Sequence, residues 1–218
     1  MSVTWTRLVL PAILVLTVPA GGQEATDNTQ TSQKQPEPKT WSLSASVYTY
    51  FVPDDRNYVQ PTFAADRRHL HLEARYNYEA YKTGSLWAGY NFSAGNKLTF
   101  DLTPMLGAVF GDTNGVAPGY EITLSWRKLA FYSESEYVFV PADHSENFGY
   151  TWSQLTLAPV DWFQFGLVAQ RTRAYQTDLD VQRGLLLGFS WNRVDLGAYL
   201  FNPDRDQPTW VFSVTVNF

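Results

Sequence analysis

The chain's only imidazoles are His69, His71 and His144. His69 and His71 stand two apart, and Glu73 and Arg75 follow at the same interval. On an extended strand, residues separated by two point to one side. His71 and Glu73 could therefore ligate a metal together, or act as a base and the carboxylate that orients it. The same placement suits a histidine that only hydrogen-bonds, and no serine stands beside either imidazole in a hydrolase-like motif. His144 falls in the polar run Pro141 to Asn147 and reads as solvated. Asp54-Asp55 and Asp204-Arg205-Asp206 lack the ordered ligand spacing of a calcium loop. The absence of cysteine excludes thiolate metal sites, disulfides and a lipid-attachment cysteine. The sequence thus assigns no catalytic residue, metal or cofactor.

The elements that would position these residues are strands. In His69 to Glu79, Leu70, Leu72, Ala74, Tyr76 and Tyr78 alternate with His69, His71, Glu73, Arg75, Asn77 and Glu79. Tyr120, Ile122, Leu124 and Trp126 oppose Glu121, Thr123, Ser125 and Arg127 in the same way. This period of two dominates from Trp41 onward, with no helical period competing. It predicts strands over 41–52, 57–64, 68–79, 85–92, 97–110, 117–127, 129–139, 148–157, 161–172, 180–191, 194–201 and 209–218. Tight connections are expected at Arg127-Lys128, Ala158-Pro159-Val160 and Asn192-Arg193, alternating with longer polar ones.

The chain starts with Arg7, an apolar run from Leu8 to Val18, and the small residues Ala20, Gly21 and Gly22. That pattern is a secretory signal peptide over 1–20, or to 22 at the alternative site. Residues 21–40 carry no large apolar side chain and read as a disordered linker. A net charge of -5 gives no basic footprint for nucleic acid. The mean hydropathy of -0.26 is that of a soluble protein. It is equally that of a membrane barrel, where every second residue faces a polar lumen.

At the carboxyl end, Trp210, Phe212, Val214, Val216 and Phe218 occupy every second position back from a terminal aromatic. This resembles the assembly signal of bacterial outer-membrane β-barrel proteins. The resemblance implies a transmembrane antiparallel up-and-down barrel over 41–218, of about 12 strands with 10 or 14 as alternatives. It also implies the outer membrane as location, outer-membrane lipid and the barrel-assembly machinery as partners, and a porin-like role. An even strand count would place both chain ends, including the amino-terminal tail, in the periplasm.

Inside such a barrel the alternation puts Glu73, Arg75, Asp101, Glu121, Arg127, Glu134 and Glu136, with Asp195 beyond them. Acids outnumber arginines there, so a narrow channel for small hydrophilic solutes or ions would slightly prefer cations. Two alternatives remain at this level. One is a closed structural or adhesion barrel working through its outer loops, and the other an interfacial lipid-modifying enzyme using His71. Residue types do not give an oligomeric state. Deleting Phe218 is expected to leave the protein unassembled in the periplasm or degraded, as read from cell fractionation and heat-modifiable electrophoretic mobility.

Overall fold

The computed structural model describes residues 40–53, 55–174 and 180–218, without the side chains of 172–174 and 180. The signal peptide expected over 1–20 and, Thr40 apart, the linker expected over 21–40 lie outside these residues.

Thirteen strands occur among the described residues: β1 (Ser42–Phe51), β2 (Tyr58–Arg67), β3 (Leu70–Tyr76), β4 (Thr83–Tyr90), β5 (Phe92–Gly95), β6 (Leu98–Gly111), β7 (Gly115–Trp126), β8 (Leu129–Val138), β9 (Phe148–Val160), β10 (Phe163–Ala174), β11 (Asp180–Trp191), β12 (Val194–Phe201) and β13 (Thr209–Asn217). Each pairs antiparallel with its neighbours in one sheet, β1 pairs with β13, and β4 with β6, which closes the ring. β4 and β5 meet β6 in a single register, Gly89 opposite Met105 and Phe92 opposite Leu102. They are one stave interrupted at Asn91, so the barrel has the twelve staves expected. β3 stops at Leu70 opposite Tyr90. β5 therefore extends past the ring with β6 as its partner.

Alternation decides the faces. Along β13, Val211, Ser213 and Thr215 are buried inside, while Trp210, Phe212 and Val214 are exposed outside. The outer surface carries an aliphatic band that includes Val47, Leu86, Leu106, Leu167 and Leu185. Aromatics cluster towards the strand ends, with Trp126, Trp162 and Trp191 at one rim and Phe51, Phe110 and Phe139 towards the other. Trp191 is 84% exposed. An apolar belt this extensive demands lipid rather than water, and the aromatic margins mark its two interfaces.

The two rims differ. At one, Arg68-His69, Arg127-Lys128, Asp161-Trp162 and Asn192-Arg193 each connect strands in two residues. Arg68, Arg127 and Asn192 have φ of 56°, 56° and 58°. Primed hairpin turns need such left-handed residues to match strand twist. The opposite rim carries longer connections, among them Phe139 to Asn147, with a short 3-10 turn at His144–Glu146, and Asn202 to Pro208.

Three expectations need correction. The turn read at Ala158-Pro159-Val160 is strand, and the chain reverses at Asp161-Trp162. Pro159 is tolerated because the β9–β10 register shifts beside it, between Phe163 and Phe165, where its missing N–H costs little. β3 ends at Tyr76 rather than 79, because Asn77 adopts φ 55° and turns the chain. Tyr50, whose place near the end of the strand expected over 41–52 suits a rim aromatic, lies inside, fully buried and stacked on Tyr58 at 4.4 Å.

Near mid-strand on the outer face, Val214→Arg should cost about 2–4 kcal/mol of barrel stability, as charges on a lipid face do. Urea titration of the bilayer-inserted protein measures this, with an arginine at an exposed turn as control.

Candidate functional site

The interior divides into an aromatic block and a charged band. The aromatic block lies along β1 and β8 to β13: Trp152 packs edge-on against Tyr199 and Phe201 at 5.5 and 5.4 Å, and Tyr48 meets Tyr199 at 6.2 Å. Trp152, Tyr50 and Phe201 are 0% exposed. Residues lining a water-filled passage would be accessible, so side chains close the barrel at this level.

The charged band is centred on Arg75 of β3. Its guanidinium contacts Glu73 on the same strand face, reaches Glu136 Oε2 on β8 at 3.3 Å, and lies 3.9 Å from Glu121 on β7. β3 and β8 are separated by β4, β6 and β7 around the ring, so the Arg75–Glu136 pair crosses the lumen. Arg75 also sits over the rings of Tyr78 and Trp87, at 4.3 and 4.7 Å, where the aromatic faces favour a cation. Its Nη2 approaches Met105 Sδ at 3.7 Å.

Further carboxyls complete the band. Glu134 accepts from the Tyr132 hydroxyl at 2.7 Å. Glu79 is fully buried and accepts from Ser85 Oγ and, at 3.1 Å, from Trp87 Nε1. Glu73, Glu79, Glu121, Glu134 and Glu136 thus share one guanidinium and one imidazole, that of His71. In a space of low dielectric this excess of acid is expensive unless protons or cations offset it. Glu136 Oε1 and Glu121 Oε1 have no hydrogen-bond partner among the described residues.

His71 lies at the edge of the band. Its Nδ1 is 2.8 Å from Asp66 Oδ1 at the end of β2, and its Nε2 faces Glu73 Oε1 at 3.3 Å. Asp66 in turn accepts from Asn91 Nδ2 at 2.7 Å, so the break between β4 and β5 supports the carboxylate that orients the imidazole. His69 lies in the tight turn, where its Nδ1 meets Asn91 O at 3.0 Å and its ring stacks on Tyr90 at 5.0 Å.

Of the sequence-predicted lumen residues, Glu73, Arg75, Glu121, Glu134 and Glu136 are brought together. Asp101 is half-buried on β6, opposite Thr123, and no contact joins it to the Arg75 network. Arg127 does not face the lumen. With φ 56° it begins a tight turn, and its guanidinium lies 5.1 Å from the Trp126 ring at the rim. Trp210, Phe212 and Val214 face outward, Phe218 is exposed, and its N–H donates to Leu43 O at 2.9 Å across the β1–β13 seam.

Sequence reasoning did not single out Tyr78, Glu79, Trp87 or Gly107. Alternation carried through Asn77 puts Tyr78 on the lipid face, but the left-handed Asn77 sends it inward, where its ring lies against Arg75. Gly107 opposes Trp87 across the β4–β6 seam, and a Cβ there would stand 2.5 Å from the indole ring. Its glycine leaves room for the indole, and a lone glycine inside a strand is the legible trace of such close approach.

Among the described residues the wall thins at the β7–β8 seam. β7 and β8 pair at Gly119–Glu136 and again at Val116–Phe139, with the rungs between them missing. Pro118 lacks a donor, Gly119 and Gly149 lack side chains, and a cavity of about 410 Å³ opens there between Tyr120, Tyr137 and Arg171 and reaches Glu136.

A closed antiparallel barrel with an apolar outer belt, aromatic margins and a charged interior has the fold of a transmembrane β-barrel. No protein-family model and no curated protein sequence matches the chain. Among solved structures it is similar to the KdgM porin, at 12% identity and TM-score 0.59 over 80% of this chain and 99% of that one. It is also similar to the KdgM porin in complex with disordered oligogalacturonate, at 11% identity and TM-score 0.58 over 81% and 99%. At these identities the likeness is one of fold.

Replacing Arg75 by Leu should cost about 3–5 kcal/mol, since it leaves several carboxylates buried without their cation. The double variant Arg75→Leu with Glu73→Leu should lose less than the sum of the two single changes. Urea unfolding in detergent micelles, arranged as a double-mutant cycle, reads the difference.

Proposed function

We propose that this protein is a narrow porin-like channel of the bacterial outer membrane, closed in this conformation by its own side chains and selective for cations when open. The observation that carries the reading is the charged band itself. A barrel required only to stay shut would be more stable with an apolar filling than with five carboxyls around one arginine. Several polar atoms of the aromatic block, including the Tyr50 and Tyr150 hydroxyls, Trp152 Nε1 and Gln170 Oε1, have no hydrogen-bond partner among the described residues. Buried polar groups call for partners, and an admitted file of water supplies them.

The acidic surplus sets the solute class. Oligogalacturonate, which accompanies the KdgM porin in one solved structure, is a polyanion and would be repelled by this lumen. Small cations or neutral hydrophilic solutes suit it instead. In this reading the tight-turn rim and both chain ends face the periplasm and the longer loops face outward. Lipid surrounds the apolar belt, and the barrel-assembly machinery reads the strand ending at Phe218.

A second reading, a permanently closed structural barrel acting through its outer loops, is favoured by the full burial of Trp152, Tyr50 and Phe201. Planar-bilayer recording separates the two. The channel reading expects small, infrequent conductance steps in the parent protein and larger, longer ones in Trp152→Ala with Tyr199→Ala. In that opened variant, reversal potentials in a salt gradient should show cation preference, weakened by adding Glu134→Gln and Glu136→Gln. Silence in both the parent and the opened variant would establish the structural reading.

A further inference from the structure

From the geometry around His71 we infer a binding site inside the barrel for one divalent transition-metal ion of the zinc type, formed by His71 Nε2, Glu73 and Glu121. Their donor atoms all lie within 4.8 Å of one another. Zinc bound at about 2.0–2.2 Å to each ligand would need a contraction on the order of 1 Å, within reach of side-chain rotation. His71 is 5% exposed, and its Nε2 has no hydrogen-bond partner among the described residues although it faces Glu73 Oε1 at 3.3 Å. Glu121 Oε1 likewise accepts no hydrogen bond among the described residues, its nearest cation being Arg75 Nη2 at 3.9 Å. Two atoms with no hydrogen bond among the described residues, one nitrogen and one carboxylate oxygen, thus share the same small volume.

The surrounding bonds prepare both ligands. An ionised Asp66 can only accept, so the proton of a neutral His71 sits on Nδ1, which faces it at 2.8 Å, and the lone pair is left on Nε2. A carboxylate behind a metal-binding imidazole is the usual second layer of such sites, and it fixes ring orientation and raises ligand basicity. Asn91 holds Asp66 from the other side. Glu73 is divided between two tasks, its Oε2 to Arg75 and its Oε1 towards His71, so Arg75 does not occupy the metal-facing oxygen.

The donor set chooses the ion. Calcium takes six to eight oxygens and magnesium an octahedron rich in water, whereas one imidazole with two carboxylates suits zinc or cobalt with water completing the shell. Two carboxylates neutralise the ion's charge, and the ion relieves the excess acid of the band. Asp66 is partly exposed at the tight-turn end, which gives an ion a route in from that side.

The test uses the full barrel, refolded in detergent, and zinc alone. Equilibrium dialysis with elemental analysis should find one zinc per chain, bound more tightly at pH 8 than at pH 5 because protons compete for the ligands. His71→Ala and Glu121→Gln should each weaken binding at least tenfold, and Asp66→Asn about 10–100-fold, as loss of a second layer does. His144→Ala should leave it unchanged. Cobalt in place of zinc should give visible absorption bands of a low-coordinate site, lost in His71→Ala. Heat-modifiable mobility confirms that each variant is folded. Should His71→Ala fail to fold, the Asp66→Asn and Glu121→Gln titrations and the cobalt spectrum decide. No stoichiometric zinc in the parent, or binding unaltered by the ligand variants, overturns the inference. Conductance is not required for this site, so a silent barrel that binds zinc would refute the channel and leave the metal site standing.

Discussion

The charged part of this barrel's interior is arranged around one buried guanidinium. Arg75 is the fixed cation to which β3, β7 and β8 each present a carboxylate, and two aromatic rings cover it. A guanidinium can satisfy this many partners because it offers five donors in a planar fork and stacks on ring faces. The arrangement imposes strict local demands. Gly107 must have no side chain so that Trp87 can lie beneath the charge. Asn77 must turn left-handed so that Tyr78 and Glu79 enter the lumen instead of continuing the strand.

The charged band and the aromatic block are two solutions to filling one cylinder. Twelve strands enclose more space than aliphatic side chains alone fill, and less than a wide aqueous channel needs. On β1, β9 and β12 the protein uses tyrosine, tryptophan and phenylalanine, which close the space with few residues. On the side of β3, β4, β7 and β8 it uses ions, which a low dielectric makes costly to separate and sensitive to any ion that enters. The balance between closure and passage therefore rests on side chains and on water, with the backbone hoop unchanged.

Much of the architecture was legible because a membrane barrel writes its fold as parity. Stretches such as Tyr120 to Arg127 show an apolar and a polar set, and the face shared by His71, Glu73 and Arg75 follows from spacing alone. Parity fails where the backbone changes hand. It carried the reading of β3 through Asn77 and so misplaced Tyr78, and it placed Arg127 in the lumen although the tight turn had already begun. It also says little about aromatics. Tyr50 and Phe51 are adjacent and chemically close, yet one packs the interior and the other meets lipid. Which residues converge was not legible at all: that Glu136 meets Arg75 depends on the circumference of the ring, and no local pattern encodes it.

The lapse in pairing between β7 and β8 takes on a different meaning in a closed hoop. A cylinder has no free edge from which to fray, so it parts where the fewest bonds cross a seam. Among the described residues the stretch between Gly119 and Val116 is such a place, with Pro118 unable to donate and two glycines offering no cover. Glu136 sits on the last rung before the lapse and is tied to the opposite wall by Arg75. The ion pair ties β8 to β3 across the lumen, a link beside the lapse that the missing rungs do not supply.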